Sequence, residues 1–156
     1  MKKFILIFTI LILTQVLNGQ NTYSNEYEIR LIKIENGRVF FTIYTYCKYQ
    51  KECIVNAKIN AVKTVLFKGL SSNSLKIYPI IKEINTEQVF KKYFDNFFEP
   101  NGRYLKYIEF SDDDDIDFTS ISKKKKKLSM NIIIQREDLI KEMQNQKIIK
   151  MLDNGF

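Results

Sequence analysis

The sequence predicts an α+β protein, a largely antiparallel sheet with helices packed on one face. Stretches with the two-residue period of strands lie near both ends of the chain. Stretches with a helical period of three to four residues lie between them and at the end. The 45% apolar and 28% charged content is that of a folded domain rather than a disordered chain. We expect one domain over residues 20–156, with the order β-β-α-(β)-α-β-β-α.

The first two strands are predicted to form a hairpin. Residues 27–34 alternate apolar and polar side chains, and residues 39–47 are rich in β-branched and aromatic ones. The Asn36-Gly37 pair between two such runs is the strongest short-range hairpin signal. Because strand side chains alternate between faces, one face of the second strand carries Val39, Phe41, Ile43 and Thr45.

A helix is predicted from Glu52 to Lys68, because apolar residues recur there every three or four positions. Gly69 stands where a left-handed C-cap is expected. Residues 71–74 are then a polar loop. Residues 75–81 form at best an edge strand, since Pro79 lacks a backbone donor.

A second helix begins after Asn85, a capping residue with Gln88 three positions further on. It ends before Pro100. A face so dense in aromatic residues is typical of a protein core, and a pocket for an apolar ligand is the alternative. The aromatic residues at helical spacing are Phe90, Tyr93, Phe94, Phe97 and Phe98.

The carboxyl-terminal part is predicted to contain strands at 104–110 and 128–135 and a last helix at 137–151. Between the strands we expect a charged loop over residues 111–127, because its apolar residues show no period. Its four consecutive aspartates, 112–115, and five consecutive lysines, 123–127, can neutralise each other across the loop. A solvated loop is therefore favoured over a site for polyanions.

Residues 1–19 are predicted to be a secretory signal peptide. Lys2 and Lys3 precede an apolar run from Phe4 to Leu17, and Gly19 lies at its polar boundary. The run is shorter than the roughly 20 residues of a spanning helix. We expect a periplasmic or secreted protein with no stable transmembrane segment after cleavage; an uncleaved anchor is the alternative.

Cys47 and Cys53 are the only cysteines. In an exported protein such a pair is often oxidised, so a disulfide is one interpretation and two reduced core cysteines are the other. The short loop would pin a junction rather than stabilise the whole fold. Without further cysteine or histidine ligands, the pair is a poor zinc site.

Catalytic motifs are missing from the sequence. The chain has no histidine, and it contains no P-loop, dinucleotide fingerprint or nucleophile elbow. The aspartate run lacks the spacing of a calcium loop. We therefore predict no catalytic residue, cofactor or metal site. Tyr44, Tyr46 and Tyr49, near the hairpin end, are a candidate interaction surface, the alternative being ordinary strand residues.

A resemblance to a known group rests on residues 57–69 (A-x-x-x-A-V-K-T-V-L-F-K-G), residues 93–98 (Y-F-D-N-F-F) and Gly102-Arg103-Tyr104. Over most of residues 27–152 the chain resembles uncharacterised exported envelope proteins of Gram-negative, Bacteroidota-like bacteria. Its layout is also similar to small α+β domains of outer-membrane assembly lipoproteins, although it lacks their lipobox cysteine. The resemblance implies an envelope location and a fold type, without implying an activity.

These observations favour a non-enzymatic interaction module of the periplasm or envelope, whose partner is an envelope protein or a cell-wall polymer rather than a nucleic acid. A small secreted hydrolase that uses carboxylates is one alternative, and an apolar-ligand-binding protein is another. A concave pocket with two carboxylates would favour the hydrolase. An open edge strand or a flat apolar patch would favour the interaction module.

The signal peptide can be tested on the native protein. Because the polar boundary follows Gly19, we expect the intact mass of protein purified from the envelope fraction to lack residues 1–19. Mass spectrometry that finds Met1 at the terminus in that fraction would contradict cleavage.

Overall fold

The computed structural model describes residues 26–72, 75–110, 116–123 and 125–150. The predicted signal peptide and the four consecutive aspartates lie outside these ranges. In chain order the strands are β1 (Tyr27–Glu35), β2 (Arg38–Cys47), β3 (Leu70–Ser72), β4 (Leu75–Ile77), β5 (Ile108–Phe110), β6 (Asp117–Ser120) and β7 (Lys126–Gln135). The helices are α1 (Gln50–Lys63), continued by a π-helical turn (Thr64–Lys68), α2 (Thr86–Val89), α3 (Lys91–Phe97), a 3-10 turn (Arg103–Tyr107) and α4 (Arg136–Asn145).

The main sheet is antiparallel throughout and has the order β1-β2-β7, with β5 and β6 both paired to the far edge of β7. Strands β3 and β4 form a separate two-stranded sheet. The helices cover one face of the main sheet, as the α+β prediction required. At the centre, β2 and β7 pair over ten residues, from Arg38 opposite Gln135 to Cys47 opposite Lys126.

The β1–β2 hairpin is confirmed, and its turn explains the Asn-Gly pair. Asn36 has a φ of 49° and Gly37 a φ of 71°, so both residues lie in the left-handed region that a tight hairpin turn requires. The side chain of Glu137 lies against Gly37, where a Cβ would have no room. Only glycine therefore fits this position without moving the Glu137 side chain.

Strand β1 carries a bulge on the edge of the sheet. The pairing with β2 shifts register between Leu31 and Lys33, which leaves Ile32 as the extra residue. Ile32 and Ile34 are 49% and 43% exposed, whereas Leu31 is buried. The outer half of β1 therefore contributes little to the core.

The core lies between the sheet and the helices. Alternate residues of β2 and β7 are buried on the helix side, and the residues between them are half-exposed on the other side. Helix α1 crosses these strands with Ala57 and Ala61, whose small side chains are fully buried and allow close approach. The strand residues that form the floor of the core are Val39, Phe41, Ile43, Leu128, Met130, Ile132 and Ile134.

Two predicted elements of the carboxyl-terminal half are corrected. The segment expected to be one strand, 104–110, is a 3-10 turn followed by the three-residue β5, because Tyr104 and Tyr107 are spaced to reach the rings of Phe98 and Phe97. The predicted charged loop 111–127 contains β6 and the first residues of β7. In the described part of this segment, Phe118 is the single apolar residue that packs against the edge of the core. One such residue is too few to produce a two-residue period that the sequence would reveal.

Other boundaries differ as well. Residues 71 and 72, predicted to belong to the polar loop 71–74, lie in β3 and pair with β4, and β4 ends at Ile77 before Pro79. The aromatic helix breaks at Phe90 into α2 and α3. Asn85 precedes α2 in a left-handed conformation without a side-chain cap bond. The last helix ends at Asn145, because Lys147 takes a positive φ and directs Ile148 back into the core.

The aromatic residues of α3 belong to the core, as the sequence favoured. Phe94 and Phe97 are 2% and 0% exposed, and their rings contact each other edge-on. Phe94 also meets Phe67 from the π-helical turn, at 5.2 Å between ring centroids. The helix therefore serves as a wall of the core.

Truncation of Phe94 tests this assignment. Because the ring is buried among other aromatic side chains, Phe94→Ala should lower the free energy of unfolding by about 3–5 kcal/mol, measured by urea denaturation. Val89→Ala is the matched control, since Val89 is 75% exposed in the preceding turn and should cost little. A Phe94→Ala protein as stable as the parent would contradict the core assignment.

Candidate functional site

The face of the sheet opposite the helices is the main candidate for binding; we call it the open face. Its side chains alternate with the buried ones, so the pairing of β2 with β7 fixes their positions. All of them are half-buried, with their upper parts in solvent. The open face is formed by Phe40, Thr42, Tyr44 and Tyr46 of β2 and by Lys127, Ser129, Asn131 and Ile133 of β7.

Cationic side chains lie beside the aromatic rings of the open face. The Lys127 ammonium is 4.3 Å from the ring centroid of Tyr44 and 5.8 Å from that of Tyr46. Lys125 approaches the Tyr46 ring to 4.8 Å. At the other end of β2, Lys33 lies 4.4 Å from the Phe40 ring. These distances fall within the range of cation–π contacts, so the rings and cations form one surface.

Some of these cations are already paired with carboxylates, and others are not. Lys125 pairs with Glu26, and Lys33 with Glu35 at 2.6 Å. Within the described ranges, Lys127 and the exposed Arg30 of β1 have no carboxylate at ion-pair distance. Lys127 and Arg30 are therefore cations without a described ion-pair partner, and the carboxylates of Glu28 and Asp117 lie on the same side of the sheet, opposite Tyr44 and Ser129.

The structure places two of the three predicted tyrosines on the open face and the third beyond the end of the strand. Tyr44 and Tyr46 are two residues apart on β2 and share the open face, where the Tyr46 hydroxyl donates to Glu28 at 2.9 Å. Tyr49 precedes α1, beyond the end of the strand, and is 60% exposed beside Lys48. Strand alternation breaks at Cys47, so proximity in sequence did not predict a shared face.

The lysine block has a different setting from the one the sequence indicated. No aromatic residue lies within it, yet the register places Lys127 directly opposite Tyr46, and Lys126 lies 5.1 Å from the Phe118 ring. Tyr46 and Lys127 are far apart in the chain. The only sequence signal for their contact is the strand period on both sides, which does not specify register.

Cys47 and Cys53 are within bonding distance as a disulfide, with 5.5 Å between their Cα atoms. The bond joins the last residue of β2 to the first turn of α1. Beside it, the buried Thr45 hydroxyl donates to the Cys53 carbonyl at 3.3 Å. The crosslink therefore holds the end of the strand that carries Tyr44 and Tyr46.

A small pocket of about 310 Å³ contains the carboxylates of Glu109, Glu137 and Asp138. Both oxygens of Glu109 accept hydrogen bonds, from Arg38 at 3.2 Å and from Gln135 at 2.5 Å. Asp138 pairs with Lys141 at 3.0 Å. Two of the three carboxylates, those of Glu109 and Asp138, therefore have local partners.

A half-buried polar cluster joins α3, the 3-10 turn and α4. Glu142 accepts a hydrogen bond from the Tyr93 hydroxyl at 2.9 Å and pairs with Arg103 at 2.8 Å. Burial, reinforced by the nearby Glu142 charge, raises the pKa of Tyr93 well above its ordinary value and that of Tyr107 to about 12. Because Arg103 and Tyr93 both bind the Glu142 carboxylate, the cluster links α3, the 3-10 turn and α4 and has a structural arrangement.

The raised pKa of Tyr107 predicts a loss of stability in alkali. Native Tyr107 keeps a proton that the unfolded chain releases near its ordinary pKa of about 10. The contribution of the protonated tyrosine to the free energy of unfolding is therefore full below about pH 10 and is lost towards about pH 12. Urea denaturation should show that the free energy of unfolding changes less between about pH 9 and about pH 11 for Tyr107→Phe than for the parent. Tyr49→Phe, which changes an exposed tyrosine, should show the same change in unfolding free energy between the two pH values as the parent. Equal behaviour of both variants would refute the assignment of this pH dependence to Tyr107.

In the described part of the chain, no cluster of three or more histidine, cysteine or acidic side chains is arranged to hold a metal ion. Nor does this part contain a helix long and apolar enough to cross a membrane. Comparisons with known protein families, with curated proteins and with solved structures find no match for this chain.

Proposed function

We propose that this protein is an exported, non-enzymatic interaction module whose open face binds an acidic polysaccharide of the cell envelope. The observation that carries the proposal is the Lys127 ammonium, which lies between the rings of Tyr44 and Tyr46 without a carboxylate partner in the described structure. An acidic sugar polymer offers carboxylates to such a cation and apolar ring faces to the neighbouring aromatic side chains.

The polar residues of the open face support a sugar ligand. Thr42 donates to the Asn131 side-chain oxygen at 2.7 Å, at the centre of the β2–β7 pairing. The hydroxyl of Ser129 lies in the row next to Tyr44. Hydroxyl and amide groups are donors and acceptors at once, as sugar hydroxyls require, and here they alternate with rings.

The rigidity of the sheet also supports binding. The other side of β2 and β7 is fully buried under α1, so the open-face side chains stand on a fixed base. Preorganised side chains lose less conformational entropy on binding than those on a loop. The carboxylate pocket near Glu109 offers less support for the hydrolase alternative, because two of its three carboxylates, Glu109 and Asp138, are engaged with neighbouring side chains.

Binding to polygalacturonate, with neutral dextran as the reference, tests the proposal. We expect the protein to bind polygalacturonate, to ignore dextran, and to bind less tightly as salt is added. Lys127→Gln should weaken binding about fivefold, as measured by titration calorimetry, because it removes an uncompensated charge.

Lys51→Gln is the matched control for charge. Lys51 is an exposed residue of α1, on the helix side of the sheet, so its loss should leave binding unchanged. Equal weakening by both variants would indicate a general charge effect and contradict a site on the open face. Binding of dextran as tightly as polygalacturonate, or preference for duplex DNA, would contradict an acidic polysaccharide as the partner.

A further inference from the structure

A second concave region lies on the helix side of the molecule, away from the open face. It is a cavity of about 540 Å³ between the extended segment 78–83, helix α4 and residues 148–150. This volume is in the range of small-molecule sites. Most of its lining is apolar, from Pro79, Ile80, Ile140, Ile148 and Ile149.

The walls of this cavity are held by backbone hydrogen bonds. The amides of Ile80 and Ile81 donate to the carbonyls of Val65 and Leu66, at 3.1 and 2.8 Å. On the other wall, the Ile148 amide donates to the Met143 carbonyl at 2.9 Å. The cavity is therefore formed by the fold itself and does not depend on the rotamer of one side chain.

Arg136 places a partly desolvated cation in this apolar lining. Its Nη2 donates to the Tyr78 carbonyl at 3.3 Å, while its buried Nε has no hydrogen-bond partner in the described structure. No described carboxylate lies at ion-pair distance from the guanidinium. Burial lowers the pKa of Arg136, and the neighbouring Glu137 charge opposes this shift.

From this cavity we infer a binding site for an alkyl carboxylate, whose head group pairs with Arg136 and whose chain lies along Ile80, Ile140 and Ile148. Guanidinium and carboxylate match in shape and charge, so one anion supplies the missing partner. Among the described lining residues, Lys82 and Lys150 stand against one carboxylate, that of Glu83, which favours an anionic ligand over a neutral or cationic one. This site is independent of the open face.

Calorimetric titration of the purified protein with decanoate, decanol and methyl decanoate tests the inference. The three probes share the alkyl chain, and only decanoate is charged. We expect saturable binding of decanoate, at least about tenfold tighter than that of decanol or the ester, since a hydrogen bond to a charged group contributes more than a neutral one. Equal affinities, or no binding of decanoate, would overturn the inference.

Two variants locate the ligand. Arg136→Gln should reduce decanoate affinity to the level of decanol and leave decanol unchanged. Ile140→Trp should fill the cavity and abolish binding of all three probes. Lys92→Gln removes one exposed charge from α3 and should bind as the parent does.

Melting temperatures of the variants show whether a loss of binding reflects a loss of fold. If Arg136→Gln does not fold, the comparison of decanoate with its methyl ester on the parent protein still decides the role of charge. Unchanged decanoate binding in a folded Ile140→Trp protein would place the ligand elsewhere and refute the site.

Discussion

Ten residue pairs join β2 to β7, and this central pairing determines the position of nearly every other described element. Hairpin turn 36–37 sets β1 against one side of the pair, and β5 and β6 share the remaining edge of β7. The buried side of the same two strands provides the floor on which α1 packs with Ala57 and Ala61. The two strands lie near opposite ends of the chain, so their pairing must close a long loop of intervening sequence.

The same pairing produces the open face. A strand exposes every second residue, and the fixed register that buries Ile43 beside Met130 necessarily places Tyr44 beside Ser129 and Tyr46 beside Lys127. A shift of one residue would move the core residues into solvent, so burial on the helix side also stabilises the arrangement of the open face. The open face therefore needs no separate supporting structure.

How well the sequence predicted each part of the fold depends on how far apart in the chain the interacting residues are. Local signals succeeded where a turn or a period was complete, as in Asn36-Gly37, the helix end at Gly69 and the alternation of β2 and β7. They failed for β6, which has one apolar anchor, and for the 3-10 turn, whose tyrosines are positioned by α3. The contact of Lys127 with Tyr46 and the cavity around Arg136 both join distant segments, and a single sequence does not specify which segments meet.

The bulge at Ile32 has a consequence for the behaviour of the molecule in concentrated solution. An edge strand with regularly spaced backbone donors and acceptors is a template on which another chain can add a strand. In β1 the extra residue interrupts that spacing, and the charged Lys33 lies between the exposed Ile32 and Ile34. An incoming strand would lose register at the bulge and meet a lysine between the two apolar side chains. This local irregularity thus disfavours the addition of a strand along β1, while leaving the two isoleucines in solvent.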